Sequence, residues 1–201
     1  DSPKAMASSG ELYWKSSLEE ANGRLSGNPV SPYGMALRKK VEICLSEWDC
    51  VLDSESTVLD MHIPAGGAMG PDVCRDSFIL ARDFFKRHFP HLSPKAITCT
   101  SWIFSPNLPE FLPEDSNLVK LMRECHLFPV ESSRRDGLWF VFFKDEFEPG
   151  RMPQDSSLQR ALSAHLEKGG ELRSSGMFFL LDDIPKFGSK PYLSNMPEQL
   201  S

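Results

Sequence analysis

From residue 58 onward the apolar positions switch between two spacings. Val58, Leu59, Met61 and Ile63 form a short run whose polar members, Asp60 and His62, lie two apart and so share one face of a strand. Three glycines, Gly66, Gly67 and Gly70, follow Pro64, and at Pro71 the spacing changes. Val73, Ser77, Leu80, Ala81, Phe84 and His88 recur at steps of three and four, with Phe85 and Phe89 widening the stripe. This predicts a helix that starts at Pro71, where the missing proline N–H costs nothing, and closes before Pro90 and Pro94. "AITCTSWIF" then reads as a strand, apolar enough for a central place in a sheet.

Further along, "SPNLPEFLPED" reads as a proline-rich turn segment, and residues 117–125 as a short helix capped by Asp115 or Ser116. "HLFPVES" and "LWFVFF" predict an antiparallel pair joined by the polar turn "SRRDG". "SSLQRALSAHLEKGG" predicts a capped amphipathic helix ended by Gly169 and Gly170, and "GMFFLLDD" a last strand. Upstream, Met35, Leu37, Val41, Cys44, Leu45 and Trp48 roughly follow helical spacing across residues 33–52. "ELYWKSS" and "GRLSGNPV" read as the two strands of a hairpin. The alternation predicts an α/β fold, a mixed and partly parallel central sheet with helices on its faces.

Composition narrows the function. The 201 residues suffice for one sizeable core. A net charge of −6 argues against general nucleic-acid binding, which favours a basic face. No apolar run reaches the roughly 20 residues that span a membrane. The first ten residues lack the apolar stretch of a signal peptide, and the chain does not begin with Met, as expected of a processed chain or an excised part of a longer one. Its five cysteines form no CxxC pair and no Cys/His zinc spacing, so a metal is not expected and a reducing, cytoplasmic setting is.

The glycine loop carries the first chemical question. Gly66, Gly67 and Gly70 let a backbone approach a ligand closely, and the unpaired N–H groups at the Pro71 helix start suit phosphate oxygens. Glycine also serves simply to turn a strand into a helix. "GGAMG" matches neither a Walker loop nor GxGxxG. Asp72, in the first helical turn, would repel a phosphate, and Arg75 one turn on would offset it.

"GNPVSP", "LDMHIPAGG", "CRDSFILARDFFKRHFP", "CTSWIFSPNLPEFLPEDSN" and "RSSGMFFLLDD" resemble a family of bacterial acyltransferase-like proteins. Those proteins carry a GNAT-like C-terminal domain behind a helical N-terminal domain, and the likeness covers roughly residues 27–183. The resemblance implies a GNAT N-acyltransferase fold. There the fourth strand splays from the fifth, acyl-CoA lies in the gap, and its pyrophosphate rests on the loop before the third helix. It implies a domain over residues 27–188, a tail or hairpin over 1–26 that ends a preceding domain, and a C-terminal tail over 189–201.

The implied activity is transfer of an acyl group, acetyl or another, from its CoA thioester to a small-molecule amine. In that scheme His62 is the base, Asp60 orients it, and Cys125 is a thiol donor or nucleophile. Met61 and Ile63 lie on the strand that pairs with pantetheine, Gly66, Gly67, Ala68, Met69 and Gly70 hold pyrophosphate, and Arg75 supports them. Ser101 lines the gap, and Asn117 either bonds pantetheine or caps its helix. Two departures stand out. "PAGGAMG" lacks the Arg or Gln that leads the family's R/Q-x-x-G-x-G/A signature, and "NLVKLMRECHLF" lacks the tyrosine that serves as general acid. Both favour the alternative of a GNAT-like module that binds a ligand or partner without chemistry.

Overall fold

The computed structural model of the chain describes residues 14–64, 69–133 and 135–194. Its first element is decided by Asn22 and Gly23, which hold φ at 52° and 72°. Two consecutive positive φ values are what a two-residue hairpin turn needs. They join β1 (Leu18–Ala21) to β2 (Arg24–Gly27), and β3 (Val41–Cys44) adds antiparallel to β2. The hairpin expected from "ELYWKSS" is thus displaced: residues 14–17 precede its first strand, and residues 11–13 lie outside the described ones.

Residues 33–52 do not form the expected helix. Gly34 holds φ at 82°, and β-branched Val41 and Ile43 pair with Gly27 and Leu25. Met35 and Trp48, members of the expected stripe, are about half exposed (57% and 49%). Helical spacing without a helical backbone at its start is a coincidence of composition.

The second sheet holds the core. Its chain order is β4 (Val58–Asp60), α1 (Pro71–His88), β5 (Ala96–Ser101), α2 (Leu108–Phe111), α3 (Asn117–Glu124), β6 (His126–Pro129), α4 (Leu138–Phe142), α5 (Ser157–Glu167), β7 (Ser175–Leu180) and α6 (Pro191–Ser194). Short 3-10 segments, Trp102–Phe104 and Leu181–Lys186, follow β5 and β7. The strands lie in the order β4-β5-β7-β6; β4 runs parallel to β5, and the other two pairings are antiparallel. The expected mixed, partly parallel sheet with flanking helices is what the chain adopts. Leu59, Ile97, Cys99, Met177, Phe179 and Leu127 join Cys74 and Phe78 of α1 and Val119 and Met122 of α3 in one cluster.

Local sequence explains the helices. Ser156 and Gln159 form a reciprocal capping box on α5, as expected of that segment. "LWFVFF" is α4 rather than a strand, because Leu138, Val141 and Phe142 are the buried positions, spaced i, i+3, i+4, and β6 pairs with β7 instead. α1 begins at Pro71 as expected, yet it buries a different face. Cys74 and Phe78 are in the core, whereas Val73, Leu80 and Phe84 are 55%, 71% and 51% exposed.

His126 of β6 stacks on Phe178 of β7, ring centroids 4.8 Å apart, and its Nδ1 lies 2.9 Å from the Leu127 carbonyl oxygen. Burial holds its pKa below the usual histidine value, the hydrogen bond opposing in part. Between the folded and unfolded pKa values the unfolded chain binds more protons. The contribution is therefore full above roughly pH 6.5 and is lost as pH falls toward the folded value. A plot of melting temperature against pH should fall on that limb, and His126→Phe, which keeps the stack, should flatten it.

Candidate functional site

β4 is short because it leaves its partner before that partner ends. The last ladder bond is from the Met61 N–H to the Thr98 carbonyl, at 2.7 Å. β5 continues through Cys99, Thr100 and Ser101, which pair with Met177, Gly176 and Ser175 of β7. The register of β4 on β5 ends at Asp60 opposite Thr98. The two parallel strands therefore part there, and Pro64, without an N–H, is placed where pairing has already ended.

Two helix starts meet beyond that opening. α1 is preceded by Gly70 as N-cap, with no side-chain cap and proline in its first turn. Its first N–H groups have no intrahelical acceptor. α3 starts beside it: a Cβ on Gly70 would stand 3.9 Å from Asn117 Nδ2. The cap of α3 is Ser116, whose Oγ accepts from the Val119 N–H at 3.4 Å. Capping is thus done by the preceding residue, and the exposed Asn117 amide is turned to the Gly70 side. Gly70 sits at φ −70°, ψ 143°, a conformation open to any residue. Turn geometry does not require a glycine here, and a Cβ would meet only an ordinary contact, so the position is open toward Asn117.

The charge layout also follows. Arg75 lies 3.2 Å from the Asp72 carboxylate and 2.9 Å from that of Asp76, so the expected offset of Asp72 is present. Met69 is partly buried against the core. Gly66, Gly67 and Ala68 lie outside the described residues.

Along β4 and its continuation the alternation sorts the remaining candidates. Leu59, Met61 and Ile63 pack on the core, while Asp60 and His62 are exposed on the opposite side. Burial pushes the Cys99 thiol up to about 11, with the Asp60 charge adding to the effect. Ser101 Oγ is engaged at the start of the 3-10 turn, accepting from Ile103 N–H at 3.4 Å. Trp102 packs beneath α4, since a Cβ on Gly137 would stand 3.0 Å from its ring. Cys125 corrects the expectation of a reactive thiol. It closes α3 as C-cap, is fully buried (0% exposed), and burial drives its pKa well above the thiol range. Among the described residues no group of three or more His, Cys, Asp or Glu is placed to hold a metal, and no helix is long and apolar enough to cross a membrane.

The pairing of Gly70 with Asn117 escaped sequence reading, which left Asn117 as a possible cap. The order Ser116-Asn117 before an apolar run was the available signal, because serine alone suffices for the cap.

A family model described as the GNAT-like C-terminal domain matches residues 10–178. No curated protein matches the chain. Among solved structures, an acyltransferase in complex with decanoyl-CoA is 30% identical at a TM-score of 0.55, covering 81% of this chain and 45% of that one. An acyltransferase in complex with CoA and 10C-teicoplanin is 27% identical at a TM-score of 0.56, covering 82% and 46%. An acyltransferase in complex with decanoyl-CoA and teicoplanin gives the same identity, score and coverage. The chain spans a little under half the length of these structures.

Proposed function

The chain belongs to the family of GNAT-like C-terminal domains, and from that premise we propose that it binds an acyl-CoA and passes the acyl group to an amine of a small molecule. The observation that carries this reading is the parting of β4 and β5 after Asp60 and Thr98, next to the paired helix starts at Gly70 and Asn117. Pantetheine, which carries two amides, fits the backbone beyond the Met61–Thr98 bond, at residues 62 and 63. The pyrophosphate fits residues 66–70 and the positive ends of α1 and α3. Asn117 reaches the same place.

His62 takes a proton from the acceptor ammonium, and the freed amine attacks the thioester carbonyl. The C–N bond forms, the C–S bond breaks, and the proton that nitrogen sheds on acylation passes through solvent to the departing CoA thiolate. Asp60, on the same side of the strand, orients the ring. Cys125 has no part in this. An acceptor of the size carried by the teicoplanin complexes, and a donor longer than acetyl, are the extensions that these similar structures suggest. A preceding helical domain and a cytoplasmic setting belong to the same reading. A binding module without chemistry is the second reading, favoured by the missing tyrosine near the end of α3.

Thermal unfolding with millimolar CoA, acetyl-CoA and decanoyl-CoA tests it. A ligand at about a hundred times its dissociation constant adds roughly 2.7 kcal/mol. At about 2–4 °C per kcal/mol, the midpoint should rise by about 5–10 °C. Gly70→Leu should keep the unliganded midpoint, because its backbone conformation is ordinary, and lose most of the shift. Absence of any shift with all three ligands in the parent chain would overturn the reading.

A further inference from the structure

α1 carries an apolar seam that the fold leaves uncovered. Val73, Ser77, Leu80, Phe84 and His88 are spaced by four, three, four and four, so they run along one side of the helix. Val73, Leu80 and Phe84 are each more than half exposed. A shallow groove lies among Ser77, Leu80, Ala81, Phe84, Phe85 and His88. Single exposed apolar residues are ordinary, but a contiguous patch along a helix marks a contact surface. An adjacent face, roughly a quarter-turn round the helix, already fills the core with Cys74 and Phe78.

We propose that this seam is the contact surface of a symmetric dimer, in which α1 of a second copy of this chain packs antiparallel on it. The charge order selects that occupant. Asp72, Arg75 and Asp76 leave the first half of α1 net negative, and Arg82, Asp83, Lys86 and Arg87 leave its second half net positive. Antiparallel pairing sets each acidic end against a basic end and opposes the helix dipoles. A twofold contact demands this reciprocity, residue i on j and j on i. A register centred between Ala81 and Arg82 sets Arg87 level with Asp76 of the partner subunit and brings Leu80 within one residue of the level of Phe84 of the partner subunit. The small side chains of Ser77 and Ala81 leave the groove into which the partner's Phe84 ring fits.

The helix is about 27 Å long. A pair of that length buries on the order of 1,000 Å², at the low end for specific contacts, where association is weak. Sedimentation equilibrium of the 201-residue chain from about 2 to 300 μM reads this directly. The average mass should climb from 22.6 kDa toward twice that value. Leu80→Glu and Phe84→Glu should each hold it at the monomer while leaving the melting temperature nearly unchanged, since both side chains are mostly exposed. Arg87→Asp should weaken association about tenfold, and adding Asp76→Arg should restore it. A mass that stays monomeric throughout would overturn the proposal and hand the seam to a different protein surface. A dimer indifferent to Leu80→Glu would overturn it too.

Discussion

His62→Ala is expected to slow acyl transfer by about 10²- to 10³-fold, with the affinity for acyl-CoA and the melting temperature near those of the parent chain. The size follows from the role. An ammonium acceptor has no lone pair, and a positioned base that removes its proton contributes on that scale. Imidazole is the side chain that ordinarily exchanges a proton near neutral pH. The specificity of the effect follows from place. His62 is exposed on a strand whose alternate members, Met61 and Ile63, provide the packing, so its loss opens no cavity. Asp60→Asn should cost less, about tenfold, because it removes a neighbouring charge and not the base. Single-turnover rates, thermal shifts and the acid limb of the pH–rate profile separate these effects. An unchanged rate in His62→Ala removes His62 from the chemistry. A rate and a melting temperature that fall together make it a structural residue.

Particular elements explain how much of this was legible beforehand. The start of α1 was written in the Gly70-Pro71 pair and its end in Pro90, both local rules. Its buried face was not, because α1 has two apolar faces. The stripe of Val73, Leu80 and Phe84 is as apolar as the one through Cys74 and Phe78, and only the sheet beneath selects between them. "LWFVFF" has the same ambiguity, since an unbroken apolar run carries no period. Residues 33–52 misled for the opposite reason: the period was there, but the Val41 and Ile43 ladder to β2 overrode it. The Asn22-Gly23 pair is itself a local signal for the β1–β2 turn.

The candidate site divides in the same way. The strand, the glycines and the helix start are contiguous in sequence and were legible together. The arrival of Asn117 beside Gly70 joins positions far apart in the chain. So does the loss of β4 pairing at Thr98, which depends on β7 holding the end of β5. Burial disposed of Cys125, and burial is a property of the finished core.

Phe179→Ala should be the most damaging substitution to stability, at about 3–5 kcal/mol, or on the order of 10–15 °C in melting temperature. Phe179 is fully buried near the end of β7, with Phe187, Phe78 and Tyr192 rings at 5.4, 5.6 and 5.8 Å. Truncation removes a ring that three others surround, and they cannot all collapse into the space. The loss also reaches the candidate site. Phe78 ties α1 to β7, and α1 carries the N–H groups that begin at Gly70, so the response to CoA should weaken along with the fold. Phe84→Ala is the control, six residues beyond Phe78 on the same helix. At 51% exposure it should change stability by less than about 1 kcal/mol in the monomer. Chemical denaturation of Phe84→Ala beside Phe78→Ala at low concentration decides which side of α1 faces the sheet. Equal losses would mean that the helix is rotated, and with it the end that meets Asn117.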